Sequence, residues 1–354
     1  MKTEEFQFKL DARTMPADPV ELRGKSRDSG KMIILDRSAA TIEHSEFPSI
    51  CDHLQSGDLL VLNDSYMLSN TLSFRHGEEL VKITLYGHEP DESSIVFIAS
   101  GHKMSLGLTL TSSDDDQLTC VFIAPLPDQL WQVKFSSAER LMETLDKFGL
   151  RCDETIHLNP TYWRTAPEAY RSVYAKKPGS LEIPSAGLHF SSELLARIAD
   201  KGVEIANITL HVGATEILAV RHISEEEIEN HKVRSEYFEV SAESAAQISK
   251  AMDENRRVVA VGTTVMRTLE SLALHNSPKV TVQAQAGWTD LYIYPGFQFK
   301  VVNALLTNLH RPRSSHIVLT AAFAGKDLVM RSYAEILDRG GYEFDMFGDS
   351  MLIV

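Results

Sequence analysis

Between Thr71 and Ser137 the chain runs through short stretches rich in β-branched and aromatic residues, each closed by turn residues. They include Leu80-Val-Lys-Ile-Thr-Leu-Tyr86, Ser94-Ile-Val-Phe-Ile-Ala-Ser100, Leu118-Thr-Cys-Val-Phe-Ile-Ala124 and Leu130-Trp-Gln-Val-Lys-Phe135. The turns between them carry His88-Glu-Pro-Asp-Glu92 and Ser113-Asp-Asp-Asp116. Strands repeating at this spacing predict a small antiparallel barrel or sandwich. A helix over Ala138 to Gly149 closes the unit, and Thr165-Ala-Pro-Glu168 has the form of a capping box for a following helix.

The flanking sequence has a different grammar. Lys31-Met-Ile-Ile-Leu-Asp36 and Gly57-Asp-Leu-Leu-Val-Leu-Asn63 have the shape of buried strands, with a short amphipathic helix near Pro48 to Leu54 between them. After Gly187 strand and helix alternate: helix Ser192 to Ala199 ended by Gly202, strand Val203 to Val212, helix Ser241 to Met252, strand Val258 to Val261, and helix Thr264 to Leu274. The expected fold class is therefore α/β, a parallel sheet or barrel-like main domain carrying an inserted all-β domain. The expected boundaries are 1–66 with 152–354 for the main domain and 67–151 for the insert. In such sheets ligands gather at the carboxyl ends of strands, so functional residues are expected just after each strand.

A chain of 354 residues can bury a large core, and two domains are the default at that length. Cys51, Cys120 and Cys152 form no C-x-x-C pair, so neither a disulfide framework nor a thiolate zinc site is suggested. The acidic start Met1-Lys-Thr-Glu-Glu-Phe6 does not resemble a secretory signal, and no apolar run is long enough to span a bilayer. A cytoplasmic protein without membrane partners is expected. Thirty-five Lys and Arg against forty-nine Asp and Glu give a net charge of −14, which opposes non-specific attraction to phosphate backbones. Local basic candidates are Arg311 with Arg313, Lys176 with Lys177, and Arg256 with Arg257.

Several strand ends in the second half are dense in small and polar residues. Pro184-Ser-Ala-Gly-Leu-His-Phe190 combines Gly187, which lets backbone approach a ligand, with His189, which can move protons; a tight turn with a buried histidine fits the same residues. Leu210-His-Val-Gly-Ala-Thr215 places His211 near the same rim, as acid, base or core histidine, and two histidines without a third ligand make no metal site. Val259-Ala-Val-Gly-Thr-Thr-Val-Met-Arg-Thr-Leu-Glu270 runs from strand into a helix capped by Thr263 or Thr264, whose free amides favour an anion. Arg267 lies one turn in and either reinforces that site or pairs with Glu270. Tyr292-Ile-Tyr-Pro-Gly-Phe297 puts aromatics on a turn, Leu306 to His316 crowds amide, imidazole and guanidinium groups into one loop, and Asp349 sits in the tight turn Phe347-Gly-Asp-Ser-Met351.

Taken together, these segments resemble the S-adenosylmethionine:tRNA ribosyltransferase-isomerase family of queuosine biosynthesis. The resemblance rests on Lys177-Pro-Gly179, Pro184 to Phe190, Thr209-Leu-His-Val-Gly213, Ser235-Glu-Tyr237, Val261-Gly-Thr-Thr264 with Arg267 and Glu270, Tyr294-Pro-Gly296, Leu306-Thr-Asn-Leu-His310, Phe347-Gly-Asp349 and, near the start, Gly57 to Asn63. It implies an α/β-barrel-like main domain with an inserted β-barrel. It implies transfer of the ribosyl portion of S-adenosylmethionine onto the aminomethyl group of a deazaguanine in tRNA, with release of adenine and methionine. S-adenosylmethionine would be a cosubstrate, with no permanently bound cofactor and no metal.

At the motif positions the implied acids and bases are His189, His211, Glu236, His310 and Asp349. The implied cosubstrate-binding positions are Gly187, Gly213, Gly262, Thr263, Thr264, Arg267, Tyr294, Gly296 and Asn308. The chain departs from the family pattern at Asp64-Ser-Tyr66 and Ser69-Asn-Thr71, where a basic anchor is expected, and at Ala214-Thr-Glu-Ile-Leu218, which puts Glu216 at the rim. Two other readings therefore remain open: a paralogue that cleaves S-adenosylmethionine with a small-molecule acceptor or none, and a non-catalytic RNA-binding relative. A monomer is the default expectation.

Overall fold

Strand β1 (Lys31–Asp36) pairs antiparallel with β2 (Thr41–Glu46), whose alternating exposed and half-buried residues mark a sheet edge. The helical segment over Phe47–Ser49 and Ile50–His53 leads into β3 (Leu59–Asn63), buried along its whole length. Continuous burial follows from β3 lying between two parallel neighbours with packing on both faces. The short β4 (Ser65–Met67) then carries the chain out of the sheet.

A computed structural model provides the coordinates, which describe residues 1–98, 102–150, 165–214, 221–275 and 282–354. Cys152 and the proposed boundary at 151/152 lie outside the described residues, as do the last two residues of the Ser94 to Ser100 run. Strands β5 (Thr71–His76), β6 (Glu79–His88), β7 (Ser94–Ile98), β8 (Thr109–Ser112), β9 (Thr119–Pro125) and β10 (Leu130–Phe135) close into an antiparallel barrel. Its order is β10-β7-β6-β5-β8-β9. Helix Ala138–Phe148 plugs the barrel with Leu141 and Leu145, and the Ser137 side chain caps it by accepting from the Arg140 amide at 3.2 Å.

The chain returns through β11 (Lys177–Ser180), which pairs parallel with β4, so one two-stranded ribbon carries both the exit and the return. Before it, the helix that follows Thr165 is only the short 3-10 helix Pro167–Tyr170, with Ala166 rather than Thr165 at its N-cap. The main sheet resumes with β12 (Glu204–Leu210), β13 (Glu236–Val240), β14 (Val258–Val261), β15 (Gln285–Thr289), β16 (Ala304–Asn308) and β17 (Ser350–Ile353). Its nine strands run β15-β13-β12-β3-β14-β16-β17-β1-β2. The central run β12-β3-β14-β16 is parallel throughout, and antiparallel pairs appear only outside it.

Successive residues alternate between two cores. Leu59 and Val61 join one cluster with Ile33 and Leu35, while Leu60 and Leu62 join the other with Met32 and Ile34. Helices Ala242–Asp253 and Thr263–His275 cover the first face, and Ser192–Asp200 covers the second. Among the described residues no helix is long and apolar enough to cross a membrane.

Candidate active site

Because the four central strands point the same way, their carboxyl ends share one sheet edge, and a polar lattice fixes that edge. The Asn63 amide at the end of β3 donates to the Leu210 carbonyl at 3.0 Å and to Thr264 Oγ1 at 3.4 Å, and its carbonyl accepts from the Leu210 amide at 3.0 Å. Ser65 and Ser180, from the two ribbon strands, bond to each other at 2.9 Å, and Ser180 Oγ accepts from the Val212 amide at 3.0 Å. The ribbon leading to the barrel is thereby pinned to the segment that follows β12.

Between this edge and the barrel lies a cavity of about 620 Å³. From the sheet side it receives His211 and Gly213 after β12, Glu236 at the start of β13, and Thr263, Thr264 and Arg267 after β14. Glu236 is 5% exposed; one carboxylate oxygen accepts the Gly213 amide at 3.0 Å and the other pairs closely with the Arg267 guanidinium. Arg267 also donates to the carbonyls of Leu291 at 2.9 Å and Thr289 at 3.4 Å. Glu270 is not its partner. That carboxylate is fully buried and accepts three consecutive backbone amides, from Lys300, Val301 and Val302 at 2.8–3.0 Å. Thr263 is the first helical residue, and Gly262 before it takes φ +89°, so neither threonine is the N-cap.

His211 is held flat. Its ring stacks on Tyr237 at 5.9 Å and 11°, and Tyr237 meets Trp288 edge-on at 5.7 Å. Gly179, at φ +142°, faces the imidazole so closely that a Cβ there would sit 2.7 Å from its Cε1. Burial, aided by the nearby His88 and Lys177, pushes the His211 imidazole down to about 4. His316, in the first turn of helix Ser315–Ala324, also lines the cavity and stacks on His310 at 5.1 Å. Burial together with Arg221, His310 and Arg267 holds it well below its ordinary value. Near neutral pH these imidazoles are uncharged and the Glu236–Arg267 pair is neutral as a unit, while the lining also carries Lys134, Arg221 and Arg234 against Glu89, Glu92 and Glu139; the aromatic faces beside His211 are the part suited to a ligand that bears positive charge.

A family model described as queuosine biosynthesis protein matches residues 3–353. The chain belongs to the queuosine biosynthesis protein family. It is similar to a protein of Desulfitobacterium hafniense named S-adenosylmethionine:tRNA ribosyltransferase-isomerase, 36% identical with both chains fully covered. A protein of the same name from Thermotoga petrophila is 37% identical, again over the whole of both chains. The crystal structure of an S-adenosylmethionine tRNA ribosyltransferase from Thermotoga maritima matches with a TM-score of 0.56 and 32% identity, covering 99% of this chain and 100% of that one.

The family motifs do not all reach the large cavity. His189 and Asp349 line a separate cavity of about 210 Å³, on either side of Gly30. His189 stacks on Phe47 at 5.0 Å, its Nε2 has no hydrogen-bond partner, and burial lowers it to about 4. Asp349 accepts the backbone amides of Lys31 at 2.7 Å and Glu343 at 2.8 Å, and burial pushes its carboxyl upward. Gly187 approaches a side chain rather than an open cavity, since a Cβ there would lie 2.0 Å from the Tyr174 hydroxyl. Asn308 donates to the carbonyls of Asp345 and Met346 at 3.0 and 3.2 Å. His310 bonds Thr307 through Nε2 at 2.9 Å and reaches the cavity only through His316.

Tyr294 and Gly296 sit on the turn beyond Tyr292 and Ile293, which are the members of that segment lining the cavity. Glu216 lies outside the described residues. The Arg256–Arg257 pair is spent elsewhere: Arg256 bonds the Gly57 carbonyl and Glu204, and Arg257 bonds Asp58 and the His53 carbonyl.

His88, Tyr237, Trp288 and His316 line the cavity without standing out in the sequence as individual site residues, although Tyr237 falls in the Ser235–Tyr237 motif and His316 closes the Leu306 to His316 stretch. His88 read as part of a turn, because strand β6 outlasts its apolar run by two residues. Trp288 falls in an edge strand whose half-exposed pattern carries no strong periodicity. Among the described residues no group of three or more His, Cys, Asp or Glu is placed to hold a metal ion.

Proposed function

We propose that this member of the family is an S-adenosylmethionine-dependent ribosyltransferase-isomerase. It moves the ribosyl portion of S-adenosylmethionine onto 7-aminomethyl-7-deazaguanine in tRNA, releasing adenine and methionine and leaving an epoxycyclopentane. The observation that carries this reading is the convergence of His211, Gly213, Glu236, Thr263, Thr264 and Arg267 on one cavity of drug-ligand size, in a chain matched end to end by enzymes of that name.

The chemistry fits that wall. The sulfonium acidifies the C5′ protons, and His211, being neutral, can take a proton without breaking an ion pair. Tyr237 and Trp288 offer faces to the cation. The Glu236–Arg267 pair fixes the loop at Gly213 and supplies no net charge. At Tyr66, where the family pattern has a basic residue, the Arg171 guanidinium lies 4.0 Å from the ring centre and brings a cation to that place. The named relatives act on tRNA, and no observation favours a small-molecule acceptor.

S-adenosylmethionine enters as a cosubstrate rather than a resident group, and the protein works as a cytoplasmic monomer. Its main domain comprises 1–66 and 152–354, with 67–151 inserted. Incubating the protein with S-adenosylmethionine, with and without tRNA bearing the deazaguanine precursor, tests the reaction by mass spectrometry. Adenine, methionine and a modified nucleoside are expected together and only with that tRNA. Adenine formed equally without tRNA would overturn the assignment of the acceptor.

A further inference from the structure

Strand β6 pairs with β7 through a register shift between Leu85 and Gly87. Up to the shift the strand serves the barrel, with Val81, Ile83 and Leu85 in its core. Beyond it Tyr86, Gly87 and His88 line the large cavity instead. Bulges of this kind re-aim side chains and are common beside active sites. The re-aimed segment is tied to the main sheet: the Ala214 amide donates to the Tyr86 carbonyl at 3.2 Å, and Arg234 pairs with Glu89.

His88 is anchored at one nitrogen and unspent at the other. Its Nδ1 lies 2.9 Å from Ser94 Oγ, whereas Nε2 is enclosed and has no partner. Enclosed polar nitrogens are nearly always bonded, so one left over beside a ligand-sized cavity calls for a ligand atom. The 2.9 Å contact suits either tautomer; we assign the Ser94 hydroxyl as donor to Nδ1, which places the ring proton on Nε2 and makes it a donor. Burial keeps the ring uncharged near neutral pH, so it adds no repulsion against a sulfonium.

We propose that His88, contributed by the inserted barrel, contacts the cosubstrate directly, donating its Nε2 hydrogen to N7 of the adenine of S-adenosylmethionine beside the His211–Tyr237 stack. This rests on the function proposed above. A purine presents an acceptor at N7, whereas the acceptor base, a 7-deazaguanine, has carbon there and cannot take the bond. The imidazole keeps its proton; the hydrogen bond orients the adenine and draws charge toward it as it departs.

The test compares wild type, His88→Ala and His88→Gln with S-adenosylmethionine and with its 7-deazaadenine analogue, reading kcat/KM for adenine or 7-deazaadenine release. Wild type is expected to lose about 10- to 100-fold on replacing N7 by CH, and His88→Ala to lose a similar factor with the natural cosubstrate. His88→Ala should lose nothing further with the analogue, and His88→Gln, whose amide can donate, should recover part of the loss. Equal loss for both cosubstrates in His88→Ala, or no loss, overturns the proposal.

Should alanine fail to fold, His88→Phe, which keeps the ring's bulk without a donor, carries the same comparison. If wild type turns over neither cosubstrate, the proposed function has failed, and calorimetric binding of adenine against 7-deazaadenine decides the contact separately. A wild-type preference for adenine that disappears in His88→Ala supports it, and equal binding of the two bases by wild type sinks it.

Discussion

Replacing Glu236 by alanine is expected to destabilise the protein by about 3–5 kcal/mol, because it strands a buried guanidinium. The Arg267 side chain is 15% exposed, and without Glu236 it retains, among the described residues, the carbonyls of Leu291 and Thr289. The Gly213 amide loses its acceptor in the same step. Glu236→Gln keeps an oxygen for Gly213 while removing the charge, so it should recover part of the stability but not the pairing. Urea unfolding of the three proteins measures this. An alanine variant within 1 kcal/mol of wild type, roughly the worth of an exposed ion pair, would show that the pair is not the clamp described.

A second large effect is expected in acid. His189 and His310 are enclosed, and burial lowers their imidazoles to about 4 and about 3. A histidine depressed in the folded state leaves the unfolded chain binding more protons, so its contribution is complete above the unfolded value near 6.5 and is lost as pH falls toward the folded value. At pH 5 that loss is about 2 kcal/mol for each of the two, against a total stability of order 5–15 kcal/mol. His88, His211 and His316 shift in the same direction and deepen the loss. Burial raises the carboxyls of Asp64, Glu270 and Asp349, which act in the opposite sense in the carboxylate range. Thermal melts between pH 7.5 and 5 should show Tm falling mainly below pH 6.5. A flat profile to pH 5 would mean that these rings are not enclosed as neutral groups.

The sequence makes three of the four central strands readable because burial on both faces leaves apolar runs, as in Leu59–Asn63 and Val258–Val261, whereas β16 overlaps the Leu306 to His316 stretch that reads as one polar loop. Four of the six barrel strands are equally plain, while Thr71–His76 and Thr109–Ser112 carry no comparable apolar run. The antiparallel strands flanking that centre are not, since Glu236–Val240 and Gln285–Thr289 mix exposed and buried residues and carry weaker patterns. Pairings distant in sequence are the other gap. Helical spacing offers Glu270 to Arg267, yet the chain meets Arg267 with Glu236 from another strand and spends Glu270 on three amides. His189 and Asp349 share a motif-level signal with His211, and only the fold separates them into a second cavity. His88 was hidden by a register shift that no residue type announces.

The most direct test is to locate the cosubstrate. In a crystal structure of the protein soaked with S-adenosylmethionine, density is expected in the cavity between barrel and sheet, with adenine beside His211 and Tyr237 and within reach of His88. Density in the smaller cavity between His189 and Asp349, with the larger one left without cosubstrate, would contradict the account.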